Sequence, residues 1–284
     1  MPKTEALAAS FSERRHGFGF TAPLLGLMVV AFNLPLLYML ALSVWAKDGG
    51  ITGDYYAELI DTTIYMRVLG NTLRISVVAT LVNVAIGYPL AYWMRGLPPR
   101  AQFIAVALVI TPFWISILVR TYAWIVVLGN NGMVNRLLLW SGAVDTPVSF
   151  LYNELGVMIG MANVLLPFLV LPLFASMLRI DDRLMQAAAS LGAPTGTIFL
   201  KVFLPLTLPA LAAGALLVFI LCLGFYVTPA ILGGGKVPMI SNLLDMMINQ
   251  YPRWEQASAV STLLLIVTLA IFAGYRALDR KVGA

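Results

Sequence analysis

The chain has 284 residues, 60% of them hydrophobic and only 11% charged, with a mean hydropathy of +0.89. A water-soluble domain carries about a quarter of its residues as charges, so a soluble globule is excluded and the membrane is the solvent. The net charge of +5 gathers in short segments between apolar blocks, without the aromatic-interleaved basic stripe of a nucleic-acid site, so no nucleic-acid partner is expected.

Residues 1–19 read as an N-terminal tail and 20–284 as one transmembrane domain. Crossing an apolar core of about 30 Å at about 1.5 Å per residue takes roughly 20 residues. Uncharged stretches of that length predict spans at 20–46, 70–94, 101–127, 155–178, 205–231 and 256–276. The first is too long for the apolar region of a signal peptide, about 7 to 15 residues, and reads as a retained helix. The third holds Arg120 among the aromatics Phe113, Trp114, Tyr122 and Trp124, and the fifth comes from an uncharged run, 202–235, longer than one crossing needs. Part of that run must lie outside the lipid core. The fold class is therefore all-α, a polytopic bundle of about six spans.

An even number of spans puts both termini on one side. Lys3, Arg14, Arg15, Arg95, Arg100, Arg179, Arg183, Lys201, Arg276, Arg280 and Lys281, eleven of the eighteen basic residues, fall there, and the positive-inside rule makes that side cytoplasmic. On the other side Lys47, Arg67, Arg136, Lys236 and Arg253 are diluted by acids such as Asp48, Asp54, Glu58, Glu154 and Asp245. Arg74 and Arg120 lie near the outer ends of their spans. Snorkelling to the interface suits Arg74, whereas Arg120 is open between anchor and pathway residue.

Several chemistries lack their residues. A phosphate-binding loop needs G-x-x-x-x-G-K-[ST], and the nearest approach, Gly233-Gly234-Gly235-Lys236, has Ala230 and Val237 where a glycine and a hydroxyl residue belong. The chain is thus not expected to hydrolyse ATP. His16 is the only histidine and Cys222 the only cysteine, so neither a metal site nor a histidine-based triad is expected. No Asp or Glu falls inside a predicted span, which argues against a proton-coupled carrier. No enzymatic activity is expected.

The segment 179–205 between spans four and five is the most informative. Asp181 and Asp182 suit the positive end of a helix that continues through 184–191 with strong helix formers and stops at Gly192. Pro194 and Thr195 open a second short helix, 196–203, ending against Leu204 and Pro205. The small side chains of Ala187, Ala188 and Ala189 allow another protein to approach the backbone closely; an ordinary alanine-rich surface helix reads the same.

This segment resembles the permeases of ATP-binding-cassette importers, whose cytoplasmic loop carries E-A-A-x-x-x-G and, after nine residues, I-x-L-P. The pattern stands here as Gln186-Ala187-Ala188, Gly192 and Val202-Phe203-Leu204-Pro205 with its spacing intact, departing from it in Gln186 for Glu and Val202 for Ile. Further stretches, Pro112-Phe113-Trp114, Leu118 to Trp124, Gly87 to Tyr92, and Gly224 to Pro229, are similar to the polyamine, opine and phosphonate branch.

The resemblance implies a type I importer permease in a bacterial inner membrane, with Gln186, Ala187, Ala188, Gly192, Leu204 and Pro205 coupling it to an ATPase. It also implies two ATPase subunits that bind ATP and Mg, a second and different permease, and a periplasmic solute-binding protein. A polyamine is the leading solute, with an opine, a phosphonate or another amino-acid-like solute as alternatives; a secondary carrier or channel is the rival class. Phe113, Trp114, Arg120, Tyr122, Trp124 and Tyr226 are the candidate pathway residues.

Overall fold

The computed structural model describes residues 3–46 and 49–282, with side chains described for Thr21 and from Pro23 to Ala277 outside that gap. Lys47 and Asp48, and the side chains of Lys3, Arg14, Arg15, His16, Arg280 and Lys281, therefore lie outside the described residues. The helices are α1 Lys3–Leu42, α2 Asp54–Asp61, α3 Thr63–Arg95, α4 Pro99–Ile110, α5 Ile117–Leu128, α6 Met133–Trp140, α7 Glu154–Met177, α8 Asp182–Ser190, α9 Thr195–Ile198, α10 Leu204–Leu223, α11 Val227–Leu232, α12 Ile240–Asp245 and α13 Trp254–Val282. Among the described residues six stretches are long and apolar enough to cross a membrane: Pro23–Leu42, Thr63–Arg95, Ile117–Trp140, Glu154–Met177, Thr195–Leu223 and Trp254–Ala277.

Helix α7 is the axis of the bundle. Its start is fixed by Asn153, whose side chain accepts from the Gly156 N–H at 3.0 Å, and it runs through Pro167 and Pro172 without a break. Helices α3 and α10 flank it closely, because glycines remove the side chains that would hold them off. A Cβ on Gly87 of α3 would stand 2.8 Å from Leu169 Cδ2, and one on Gly214 of α10 would stand 2.9 Å from Leu169 Cδ1. Small residues at helix contacts are how membrane helices gain dispersion energy where lipid is as apolar as leucine. One core cluster, around Met94, Met177 and Phe203, lies at the end that carries the 179–205 loop. A second surrounds Met161 and Leu165, and a third ties α2, α12 and α13 together at the opposite end.

Two spans differ from their expected outlines. The expected helix 101–127 is broken: a 3-10 turn, Thr111–Trp114, follows α4, and Ile115 and Ser116 are extended before α5 begins. Pro112 offers no N–H to the Leu108 carbonyl, and the extended backbone at Ile115 takes the carbonyls around it out of an α ladder. The expected span 205–231 stops at Leu223. The remainder of the uncharged run folds back as α11, whose Thr228, Pro229 and Leu232 are buried. The excess of that run thus forms a separate element, as its length requires.

The loop also differs from expectation after Pro194. The second short helix does not end against Leu204 and Pro205 but passes through a π-helical turn, Phe199–Phe203, directly into α10. In a π turn each bond reaches one residue further back, as the Leu204 N–H does to the Phe199 carbonyl. The widened turn accommodates the ring and missing donor of Pro205, which would break an ordinary helix there.

Candidate functional site

The 179–205 loop forms a short amphipathic helix and a sharp turn. Asp181 caps α8 by accepting from the Arg183 N–H at 2.9 Å, and Asp182 occupies its first turn. Gln186, Ala187 and Ala189 are exposed and Ala188 partly so. Gly192 has φ +80°, the left-handed conformation that ends helices, and open space surrounds the position of a Cβ. Beside it Leu191 is 89% exposed, an apolar side chain projecting from the turn. Leu204 and Pro205 sit on the continuous α9–α10 rod rather than in the turn.

What joins this loop to the bundle is Arg95, read from sequence only as a topology marker. It is the last residue of α3, and its guanidinium pairs with Asp182 of α8, donates through Nε to the Met177 carbonyl of α7 at 3.0 Å, and lies 4.9 Å from the centre of the Phe203 ring. Its own carbonyl accepts from Gln102 Nε2 of α4 at 3.1 Å. One side chain thus touches α7, α8 and the π turn. No local pattern marks Arg95, because its partners come from segments more than 80 residues away.

The candidate pathway residues separate into two groups. Arg120 donates to the Pro112 carbonyl at 2.5 Å and to the Ile115 carbonyl at 3.2 Å. The break in the third span therefore supplies its partners, and the guanidinium bridges that break. Phe113 packs edge-on to Phe168 of α7 with ring centres 5.0 Å apart, and the Trp124 indole donates to Asn163 Oδ1 at 3.3 Å. Trp114 and Tyr122 are 87% and 60% exposed. Tyr226 bonds elsewhere: its hydroxyl donates to Asp245 Oδ2 at 3.0 Å. That hydrogen bond, and secondarily burial and the carboxylate charge, push the Tyr226 hydroxyl above its ordinary pKa.

Arg74 pairs with Glu154 at the start of α7 while its side chain stays largely exposed. Arg67, Asn71, Arg74, Lys236 and Pro238 line a basic cavity of about 620 Å³. Gly234 and Gly235, with φ +54° and +74°, turn the chain into it after α11. The glycine tract is thus a turn at the end of the bundle opposite the loop.

No family model matches the chain. Its fold matches a chain of a bacterial alginate ABC transporter solved in complex with an alginate pentasaccharide-bound periplasmic protein, with a TM-score of 0.78 at 18% identity, covering 96% of this chain and 97% of that one. The architecture is that of an ABC importer permease. Relatives fix the family. The spermidine/putrescine transport system permease PotB of Haemophilus influenzae is 38% identical over 259 residues, 88% of this chain and 90% of its own length. PotB of Escherichia coli K12 is 33% identical over 269 residues, 91% of this chain and 98% of its own. The chain belongs to this PotB family of ABC importer permeases.

Proposed function

We propose that the chain forms half of the solute pathway of a polyamine importer in a bacterial inner membrane, with spermidine or putrescine as cargo. The observation that carries this reading is the 38% identity to a spermidine/putrescine permease along nearly the whole chain, joined to the exposed α8–Gly192 turn. In this reading both termini are cytoplasmic, and α8 seats in a cleft of one of two ATPase subunits. Those subunits bind ATP and Mg; the chain itself carries no catalytic residue. Gln186, Ala187, Ala188 and Gly192 make the docking surface, while Leu204 and Pro205 carry its displacement into α10. A periplasmic binding protein delivers the solute, and a second, different permease completes the pathway.

Closure of the ATPase pair would draw the two coupling helices together and rock the bundles between inward-open and outward-open states. The test is a reconstituted complex with its binding protein, offered polyamines, opines and aminophosphonates in turn. ATPase stimulation by polyamines is the expected result. Stimulation by anionic solutes alone sinks the polyamine assignment, and polyamine transport without ATP sinks the importer reading in favour of a secondary carrier.

A further inference from the structure

A dication crossing this chain would be offset most simply by a carboxylate, and none lies inside the predicted spans. The fold supplies one from outside them. Helix α10 has 20 residues, about 30 Å at about 1.5 Å per residue, so Gly224, Phe225 and Tyr226 stand at the far mouth of the crossing from the coupling loop. Helix α12 is fastened to that turn: Ser241 Oγ donates to the Phe225 carbonyl at 2.6 Å and Asn242 Nδ2 to the Tyr226 carbonyl at 3.3 Å. This brings Asp245, the last residue of α12, under the Tyr226 hydroxyl.

The Asp245 carboxylate is held by neutral donors only, Tyr226 Oη at 3.0 Å on one oxygen and Asn249 Nδ2 at 2.7 Å on the other. Among the described residues no basic side chain forms an ion pair with Asp245, and Arg253, which follows it on the same segment, pairs with Glu58. An ionised carboxylate has about four lone-pair sites, so both oxygens keep capacity for a further donor. The Tyr226 ring beside it is 40% exposed and Met246 38% exposed. A π-helical turn, Met246–Gln250, begins immediately after Asp245, and such turns concentrate at functional positions. A half-exposed carboxylate with its charge unbalanced does not face lipid hydrocarbon; it faces water or a cation.

We propose that Asp245 and Tyr226 form an ammonium-binding subsite at the outer mouth of the pathway. The carboxylate supplies charge, and the aromatic face holds the adjoining methylenes and ammonium by cation–π attraction. Asn249 and the Tyr226 hydroxyl are positioning groups that fix the carboxylate. The solute class is an alkylammonium with more than one charge, and the proposal rests on the polyamine reading.

Uptake of spermidine into proteoliposomes containing the full complex and its binding protein tests it. Asp245→Asn keeps the size and the tyrosine hydrogen bond but removes the charge. It is expected to raise the spermidine concentration for half-maximal uptake on the order of tenfold, the scale of one charge-assisted hydrogen bond, with Asp245→Glu within about threefold of wild type. Unchanged half-saturation in Asp245→Asn overturns the subsite and leaves the polyamine reading intact, since the wild type still transports. A wild-type complex that takes up no polyamine overturns that reading and the subsite with it. If Asp245→Asn does not assemble, Tyr226→Leu decides: a comparable rise supports the subsite, and unchanged half-saturation overturns it.

Discussion

Helices α1 and α7 are nearly equal in hydropathy, 2.1 and 2.2 over their most apolar stretches, yet half of those residues are buried in α7 and none in α1. Apolarity brings a helix into the membrane, but it does not choose its neighbours there. The choice is made by surface relief. Gly156 and Gly160 let α7 sit against the 150–151 backbone and α11, whereas α1 presents Leu27, Phe32, Leu34 and Leu37 outward, each at least 60% exposed. Exposure carries a different meaning in α8, where polar residues face water and alanines leave the backbone approachable.

The sharpest way to break the comparison is to fill the relief of α7. A Cβ on Gly160 would stand 2.5 Å from both Leu232 Cδ1 and Thr228 Cγ2, so Gly160→Leu drives α11 off the axis. Overpacking of this kind costs about 1 to 3 kcal/mol and sometimes more. Thermal unfolding in detergent is expected to shift down strongly or the folded chain to be lost; an unshifted midpoint would mean that α11 is not seated as described. Next in size is Gly192→Asp, which forces a side chain onto a left-handed residue that projects into open space. Uptake is expected to fall at least tenfold with membrane insertion retained, as read by transport beside a topology assay, and full uptake would remove the coupling role of the turn. Smallest is Phe32→Ala on α1, 73% exposed. It is expected to move the unfolding of the isolated chain by no more than about 0.5 kcal/mol, and a loss like that at Gly160 would erase the contrast between the two helices.

How much of this was legible depended on how local the cause was. The number of spans, the start of α8 at Asp181 and Asp182 and the stop at Gly192 follow from composition and from neighbours within a few residues and are found, while the third crossing lies at Ile117–Trp140 and the fifth ends at Leu223. The break at Ile115 was hidden because Pro112 alone does not decide between a kink and a rupture; Arg120, eight residues on, holds the broken carbonyls. The early end of α10 was hidden because 202–235 is uniformly uncharged, and only packing of Thr228 and Leu232 against Gly160 divides it. Arg95 and Asp245 were hidden altogether. Each looked like an ordinary loop or terminal charge, and their significance comes from partners brought near by the fold.

The π turn at Phe199–Phe203 carries the chain from α9 into α10 without a break in the helix. Thr195–Leu223 is a continuous helical stretch of 29 residues, on the order of 43 Å long at about 1.5 Å per residue. Were it to tilt as one beam by about 5° around its midpoint, each end would swing by about 2 Å in opposite directions. Whatever grips the Gly192 turn therefore holds one end of a lever whose other end carries the Tyr226–Asp245 pair.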